Sequence, residues 1–204
     1  MHFKIIVAVC RNNGIGLNQK LPWTIKEDLQ HFSKTTKGKG NNAIVMGKNT
    51  WLSFGGKPLP KRDHLILSSS LHEQGKTTNA VNEIEQHGRC KVFPSIDGMK
   101  KWCAERNYDE IWIIGGESIY KQFINDPLTT EICITNIDKE FDCDTFFPLD
   151  DIAQNWQKQK TYPLLTTQDF MVTISIFLPL SPHPPARIVV AAPEVQTQEH
   201  RQRN

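Results

Sequence analysis

The sequence predicts an α/β protein: a single domain with a mixed, mostly parallel central sheet flanked by helices. Short apolar runs alternate along the chain with segments of helical periodicity, the pattern of strands joined by helical crossovers. Several runs, such as residues 5–9 within the first predicted strand, are continuously apolar, as expected for strands that are covered on both faces. The last apolar run follows no helical segment, so we expect the final strands to be antiparallel.

The individual elements follow from local patterns. Six strands are predicted, at residues 4–9, 42–46, 64–68, 110–114, 131–137 and 170–177. Three helices are predicted, at residues 24–35, 95–106 and 117–125. In the first helix, Ile25, Leu29 and Phe32 have the i, i+4, i+7 spacing of one helix face. Ser95 is the expected N-cap of the second helix.

Composition excludes several classes of protein. Of the 204 residues, 38% are hydrophobic and 23% charged, which is typical of a globular protein. A net charge of +2, with no long basic run, argues against a nucleic-acid binder. The first apolar run is too short for a membrane span or a signal peptide. The five cysteines have no metal-ligand spacing, so we expect free thiols and a reducing, cytoplasmic location. We also expect a monomer.

The chain changes character near its end. Five of the twelve prolines lie in residues 179–204, and proline cannot donate to a sheet ladder. We therefore predict a catalytic domain at residues 1–178, followed by a proline-rich and then polar C-terminal extension that is disordered.

Two glycine-containing segments suggest ligand sites. The stretch from Gly14 to Trp23 leaves the first strand, and ligands in open α/β sheets bind beyond such strand ends; it could also serve as a mobile lid. Gly115 and Gly116 join a predicted strand to a helix, an arrangement suited to an anion, although the GxGxxG fingerprint is absent. Tight turns alone would also explain these glycines.

One carboxylate lies beside the apolar face of the first helix. Asp28 neighbours Leu29, and a buried carboxylate there would need a partner and would have a raised pKa. The pattern alone also allows Asp28 to face solvent, and Glu27 is the competing carboxylate. Lys48 follows another strand and could meet a phosphate, and Arg62 could form a bidentate pair with a carboxylate.

Six segments together resemble the dihydrofolate reductase family. They are GIGLNQKLPW (14–23), DLxxF (28–32), VMGKNTW (45–51), PLPKRDHLILSS (58–69), IWIIGGESIY (111–120) and FDCDTFFP (141–148). They occur in the family's order and spacing over about residues 3–177. The resemblance implies a dihydrofolate reductase-like fold and NADPH-dependent reduction of 7,8-dihydrofolate to 5,6,7,8-tetrahydrofolate, which supplies one-carbon metabolism and thymidylate and purine synthesis. It also implies inhibition by antifolates.

The resemblance also assigns residues. The catalytic set it implies is Asp28, Leu21, Trp23, Tyr120 and Thr135. In this set Asp28 binds the pterin, and Thr135 holds the orientation of Asp28 by a hydrogen bond. The substrate contacts it implies are Ile6, Val7, Ala8, Asp28, Leu29, Phe32, Ser53, Leu59, Arg62, Ile114 and Thr135, with Arg62 on the glutamate α-carboxylate. The NADPH contacts it implies are Ala8, Ile15, Gly16, Leu17, Asn18, Gln19, Lys20, Gly47, Lys48, Asn49, Thr50, Leu67, Ser68, Ser69, Ser70, Ile114, Gly115, Gly116, Glu117, Ser118, Ile119 and Tyr120. The resemblance also implies a cis peptide bond between Gly115 and Gly116. It implies no metal site.

The chain departs from the family pattern at Ser69 and Ser118, near which the family often has an arginine that binds the 2′-phosphate of NADPH. We therefore expect a weaker preference for NADPH over NADH. Lys76 is a further candidate for binding this phosphate.

Three alternatives remain open. They are a related pterin or pyrimidine reductase such as that of riboflavin synthesis, a folate-binding protein without turnover, and RNA binding through the tail. Asp28, Phe32 and Arg62 together favour a pterin with a glutamate tail over the first alternative.

Overall fold

The computed structural model describes residues 1–70 and 79–180. These residues form ten strands: β1 (Phe3–Cys10), β2 (Gly14–Gly16), β3 (Asn42–Gly47), β4 (Arg62–Leu67), β5 (Cys90–Phe93), β6 (Ile111–Ile113), β7 (Thr129–Ile137), β8 (Thr145–Phe146), β9 (Trp156–Pro163) and β10 (Val172–Pro179). The helices of the described part are α1 (Lys26–Lys37), α2 (Lys48–Ser53), α3 (Asn79–Glu85), α4 (Ile96–Ala104), α5 (Glu117–Phe123) and α6 (Leu149–Asn155). Within these ranges, no helix has both the length and the apolar content to cross a bilayer.

Eight strands form the central sheet, in the order β5-β4-β3-β6-β1-β7-β10-β9. The first six are mutually parallel, and β10 runs antiparallel to both β7 and β9. This confirms the predicted mixed, mostly parallel sheet with antiparallel final strands. Because β6 is inserted between β1 and β3, the chain connections diverge there, and the carboxyl ends of these strands border a crevice suited to a ligand.

The sheet is covered on both faces, as the unbroken apolar runs predicted. In β1, Ile5 and Val7 belong to one buried cluster with Phe123, whereas Ile6 belongs to another with Met46. Successive strand residues point to opposite faces, so a strand buried on both sides must be apolar at every position.

Helix α1 begins at Lys26 rather than at the predicted residue 24, because Ile25 still has an extended backbone (φ −121°, ψ 101°). It ends at Lys37, two residues later than predicted, where Gly38 takes a positive φ of 52°. Ser95 caps α4 as predicted, its hydroxyl accepting from the Gly98 N–H. The other predicted boundaries lie within a few residues of those observed.

Several elements were not predicted from the sequence. Strand β9 reads WQKQKTYP, and of these residues only Trp156 is buried. An edge strand with polar residues on both faces has no hydrophobic alternation to reveal it. Strands β2 and β8 are three and two residues long and pair with each other in a separate two-stranded sheet. The predicted extension beyond residue 180 lies outside the described residues.

A buried histidine makes the fold sensitive to acid. His64 is fully buried in β4, and its Nε2 accepts the Leu59 N–H at 2.9 Å. Burial lowers the pKa of His64 from 6.5 to about 4. The unfolded chain therefore binds a proton near pH 6.5 that the folded chain rejects down to about pH 4.

We expect the free energy of unfolding to fall by about 3 kcal/mol on this account as the pH is lowered through that window, the contribution being fully present above it. Chemical denaturation at a series of pH values tests this. His64→Gln keeps a side chain that can accept a hydrogen bond from the Leu59 N–H, and it should remove this part of the pH dependence of the free energy of unfolding. His87→Gln, at an exposed histidine whose ring also lies near that of Trp51, is the matched control. Parallel pH curves for wild type and His64→Gln would contradict this role.

Candidate active site

A cleft of about 1430 Å³ opens at the carboxyl ends of β1, β3 and β6. Its walls come from the end of β1, the segment after it, one face of α1, and the turns that lead into α2 and α5. Here, at the carboxyl ends of the central strands, the chain connections on the two sides of β6 run in opposite directions across the sheet. The cleft therefore lies where ligands bind in open α/β sheets.

Asp28 is the carboxylate that lines the cleft from α1, and it is only 6% exposed. Burial raises its pKa, while a hydrogen bond from the Thr135 hydroxyl and the charge of His31 act in the opposite direction. Thr135 is buried in β7, directly beside Ala8 of β1. The competing carboxylate, Glu27, is half-buried and lies outside the residues that line the cleft.

The segment after β1 folds back over the cleft. Leu17 and Lys20 exchange backbone hydrogen bonds of 2.9 and 3.0 Å, and Asn18 and Gln19 between them have positive φ. These are the features of a two-residue I′ turn. Asp144 fixes this turn from outside, because its carboxylate accepts the Asn18 N–H at 2.8 Å and its own N–H donates to Gly16 O at 2.9 Å.

Trp23 closes the far end of this segment. It is 6% exposed, and its ring packs against Phe141 with centroids 5.4 Å apart. Its indole N–H is buried in the cleft wall and makes no hydrogen bond within the described part of the chain. Since buried N–H groups are normally paired, this donor is suited to a polar group of a bound molecule.

The Gly115–Gly116 peptide is cis, as the resemblance implied. Gly115 has φ +104°, and a Cβ on it would lie 2.7 Å from the Tyr120 ring. The Tyr120 hydroxyl donates to Ile6 O at 2.9 Å and is fully buried, which raises its pKa. Tyr120 therefore presents its ring rather than its hydroxyl to the cleft.

Hydroxyls and a cation line the end of the cleft next to these glycines. Lys48, Thr50 and Ser118 border it, as does Ser70. Gly47 donates its N–H to Gly115 O at 2.8 Å, which holds the two turns side by side. Ammonium, hydroxyl and backbone N–H donors form the set that phosphate oxygens require, so this end fits the pyrophosphate of a dinucleotide.

Most of the residues assigned by the resemblance lie together in the cleft. Those that line it are Ile6, Val7, Ala8, Ile15, Gly16, Asn18, Gln19, Lys20, Leu21, Trp23, Asp28, Leu29, Phe32, Gly47, Lys48, Asn49, Thr50, Ser53, Leu67, Ser70, Ile114, Gly116, Glu117, Ser118, Ile119, Tyr120 and Thr135. Those outside its lining are Leu17, Leu59, Arg62, Ser68, Ser69 and Gly115. Lys76 lies outside the described residues.

Arg62 is buried rather than exposed at the cleft wall. Its guanidinium donates to Pro60 O at 3.1 Å and to the Thr36 hydroxyl, and only 1% of the residue is exposed. Burial lowers its pKa. Within residues 1–70 and 79–180, no carboxylate forms a salt bridge with it.

A family model described as dihydrofolate reductase matches residues 2–175, nearly the whole described chain. The chain belongs to the dihydrofolate reductase family. The dihydrofolate reductase of Drosophila melanogaster is 37% identical over 155 residues, which are 72% of this chain and 80% of the relative. That of Haemophilus influenzae is 34% identical over 164 residues, covering 78% and 83% of the two chains.

A solved structure of dihydrofolate reductase from Enterococcus faecalis, complexed with NADP(H) and RAB-propyl, has the same fold. The TM-score is 0.71 at 25% identity, over 88% of this chain and 97% of the other. The mixed sheet with helices on both faces is therefore the dihydrofolate reductase fold, as the resemblance implied.

The sequence reasoning missed several members of this family site. Thr24, Lys121, Asp144 and Thr145 also line the cleft. His31 lies one helical turn after Asp28, half-buried, with its Nε2 3.6 Å from Cys133 Sγ. Its i+3 spacing from Asp28 was the available signal. Asp144 and Thr145 fall inside a motif that supported the resemblance, but spacing alone did not bring them to the turn at residues 17–20.

Removing the hydroxyl that holds Asp28 should raise the pKa of that carboxyl. In Thr135→Val the charged form loses a donor, and we expect the pKa of Asp28 to rise by about one pH unit relative to wild type. Titration of ¹³C-labelled carboxyl groups by NMR measures it. Thr129→Val is the matched control, because Thr129 is equally buried but donates to Phe123 O instead. An unchanged Asp28 titration would show that Thr135 does not stabilise its charge.

Proposed function

We propose that this chain reduces 7,8-dihydrofolate to 5,6,7,8-tetrahydrofolate with NADPH in the cleft, and that Asp28 is the acidic group that binds the pterin. The observation that supports the assignment of Asp28 is a buried carboxylate lining the cleft of a dihydrofolate reductase fold. A carboxylate in such a place accepts paired N–H groups strongly, because little water competes.

Asp28 would act by holding and polarising the substrate. Its two oxygens would accept from N3 and the 2-amino group of the pterin, which favours the protonated, reactive form. N5 lies beyond the reach of this short side chain, so a water molecule would deliver the proton there. The Thr135 hydroxyl would fix the orientation of the carboxylate, and the Trp23 N–H is a second buried polar group that lines the cleft.

NADPH, when bound, supplies the hydride that reaches C6 of the pterin. Lys48, Thr50 and the backbone around Gly116 would hold its phosphates, and the segment from Ile15 to Lys20 would cover its nicotinamide. Closing this segment over the two reactants excludes water and holds the donor and acceptor carbons together. Ser69 and Ser118 would give the 2′-phosphate hydroxyl partners in place of a guanidinium, consistent with a reduced preference over NADH.

Arg62 would take the α-carboxylate of the glutamate tail. Its Nε and one terminal nitrogen are occupied by Pro60 and Thr36, which leaves N–H groups for a bidentate pair. A buried guanidinium without a carboxylate partner is costly, and an anionic ligand would supply that partner. Leu59, whose N–H is held by His64, would line the neighbouring apolar pocket.

The reaction is tested by the loss of NADPH absorbance. We expect oxidation of NADPH only when dihydrofolate is present, slower oxidation of NADH, and inhibition by an antifolate. Binding of both ligands without any loss of absorbance would instead support the alternative, a folate-binding protein without turnover.

We also propose that the active form is a cytoplasmic monomer with one catalytic domain. The five free cysteines are consistent with a reducing compartment. Light scattering of the purified protein would measure the mass directly, and a dimer mass would contradict the monomer.

Removing residues 181–204 should leave turnover unchanged and the free energy of unfolding within ~0.5 kcal/mol of wild type. Strand β10 ends at Pro179, one residue beyond the domain boundary predicted from the sequence, and the Leu180 N–H still donates to Asn155 O at 2.9 Å. Steady-state assays and denaturation of the shortened chain test this. A second truncation that also removes β10, which lies between β7 and β9, should abolish folding. An inactive or insoluble chain 1–180 would show that the extension belongs to the fold.

A further inference from the structure

Two thiols meet at the base of the covering segment, residues 11–23, which follows β1 and folds back over the cleft. Cys10 is the last residue of β1, and Cys143 lies two residues before β8. Their sulfur atoms are 3.8 Å apart, although 133 residues separate them in the chain. Cys10 is 2% exposed, whereas Cys143 is half-buried.

Gly14 provides the room for this contact. A Cβ on Gly14 would lie 2.2 Å from Cys143 Sγ and 3.1 Å from Cys10 Sγ. Any larger residue at position 14 would thus push the Cys143 side chain away. The other thiols have different surroundings, Cys103 facing Met99 Sδ at 3.4 Å and Cys133 facing His31.

We propose that Cys10 and Cys143 form an oxidation site, at which a small disulfide of the glutathione class converts the two thiols into a disulfide that fixes the covering segment in place. A disulfide requires the sulfurs to approach to about 2.05 Å. The sulfur atoms, which are 3.8 Å apart, must therefore approach by roughly 1.7 Å.

The exchange balances in two steps. The Cys143 thiolate attacks one sulfur of the small disulfide, forming a mixed disulfide and releasing one small thiolate. Cys10, after losing its proton to solvent, attacks the Cys143 sulfur and releases the second thiolate. Two protein thiols are oxidised and one external disulfide is reduced to two thiols. The order follows from exposure, because only Cys143 is accessible to an external reagent.

Burial raises the pKa of Cys143 to about 11, with a further contribution from Cys10. Since the thiolate is the nucleophile, exchange should be slow at neutral pH and should accelerate as the pH rises. The site would therefore stay reduced in a reducing environment and respond to strongly oxidising conditions.

The cross-link would act on the covering segment. That segment is already joined to residues 141–147 by hydrogen bonds, including Phe147 N–H to Asn13 O at 2.9 Å and the Asn12 amide to Phe141 O at 3.0 Å. These bonds can break and reform, so the segment can open for exchange of ligands. A covalent bond at its base would slow that opening; this consequence rests on the proposed function, whereas formation of the disulfide does not.

The test treats the full chain with excess oxidised glutathione at pH 8.5, followed by thiol counting and peptide mass spectrometry. We expect wild type to lose two thiols and to yield a linked Cys10–Cys143 peptide pair. Cys143→Ser and Cys10→Ser should each yield none. Cys90→Ser, at another cysteine of the chain, is the matched control and should still form the pair. Wild type that keeps all five thiols, or stops at a mixed disulfide on Cys143, would overturn the oxidation site.

Kinetic measurements test whether the disulfide slows the opening of the covering segment. Oxidised wild type should show a turnover number at least fivefold lower, restored by dithiothreitol, with hydride transfer in a single turnover unchanged. Cys143→Ser should be insensitive to the oxidant. Full cross-linking with an unaltered turnover number would overturn the effect on the segment and leave the site intact. Reduced wild type without any turnover would contradict the proposed function instead.

Discussion

Replacing Asp28 by asparagine should lower the turnover number by about 10²- to 10⁴-fold, the range typical of a lost acid–base group. The amide has the size of the carboxylate and can still accept from Thr135, but it has no charge with which to bind and polarise a protonated pterin. NADPH binding, which uses the other end of the cleft, should be retained. Steady-state kinetics and fluorescence titration with NADPH measure the two effects separately.

Glu27→Gln is the matched control for this change. It removes the neighbouring carboxylate, which lies outside the residues that line the cleft, and should alter turnover only a few-fold. If Asp28→Asn turned over at nearly the wild-type rate, or if Glu27→Gln were the more damaging change, the assignment of Asp28 would be wrong.

Replacing Gly115 by alanine should destabilise the fold by ~3 kcal/mol or more, because two costs add. The backbone at Gly115 has φ +104°, a conformation that residues with a Cβ rarely adopt, and the added carbon would lie 2.7 Å from a Tyr120 ring that cannot move away. Tyr120 is held by its hydrogen bond to Ile6 O and by an edge contact with Phe147. Denaturation curves measure the loss.

The adjacent residue supplies the control for Gly115→Ala. Gly116 has φ −79°, and a Cβ on it would meet Thr50 Oγ1 at an ordinary 3.5 Å. Gly116→Ala should therefore cost far less stability, although the new methyl group could weaken NADPH binding. Equal losses from the two substitutions would show that the backbone conformation at Gly115 is not the cause.

The strands of the core were predictable from sequence because burial on both faces requires apolar residues at every position. Strand β9 was not, because an edge strand rich in lysine and glutamine has no such pattern. The burial of Asp28 also could not be predicted from the spacing of apolar residues in the first helix. Leu29 beside it is 47% exposed, whereas Asp28 is buried and has Thr135 of β7, which is distant in sequence, as a hydrogen-bond partner.

The family resemblance named most of the cleft residues before the structure placed them there, and several of its motifs follow a parallel strand of the sheet. They did not reveal that Arg62 is enclosed by Thr36 and Pro60, or that Asp144 holds the turn at Asn18. Such contacts depend on how distant segments pack, and a single sequence contains no record of that packing.

The most direct test of the central claim is transfer of deuterium from NADPH that is deuterated at C4 of the nicotinamide. With dihydrofolate and wild-type protein, we expect one deuterium at C6 of tetrahydrofolate by mass spectrometry and NMR, and almost none in the same time with Asp28→Asn. Tetrahydrofolate without deuterium, or no tetrahydrofolate from protein that binds both ligands, would contradict hydride transfer in this cleft.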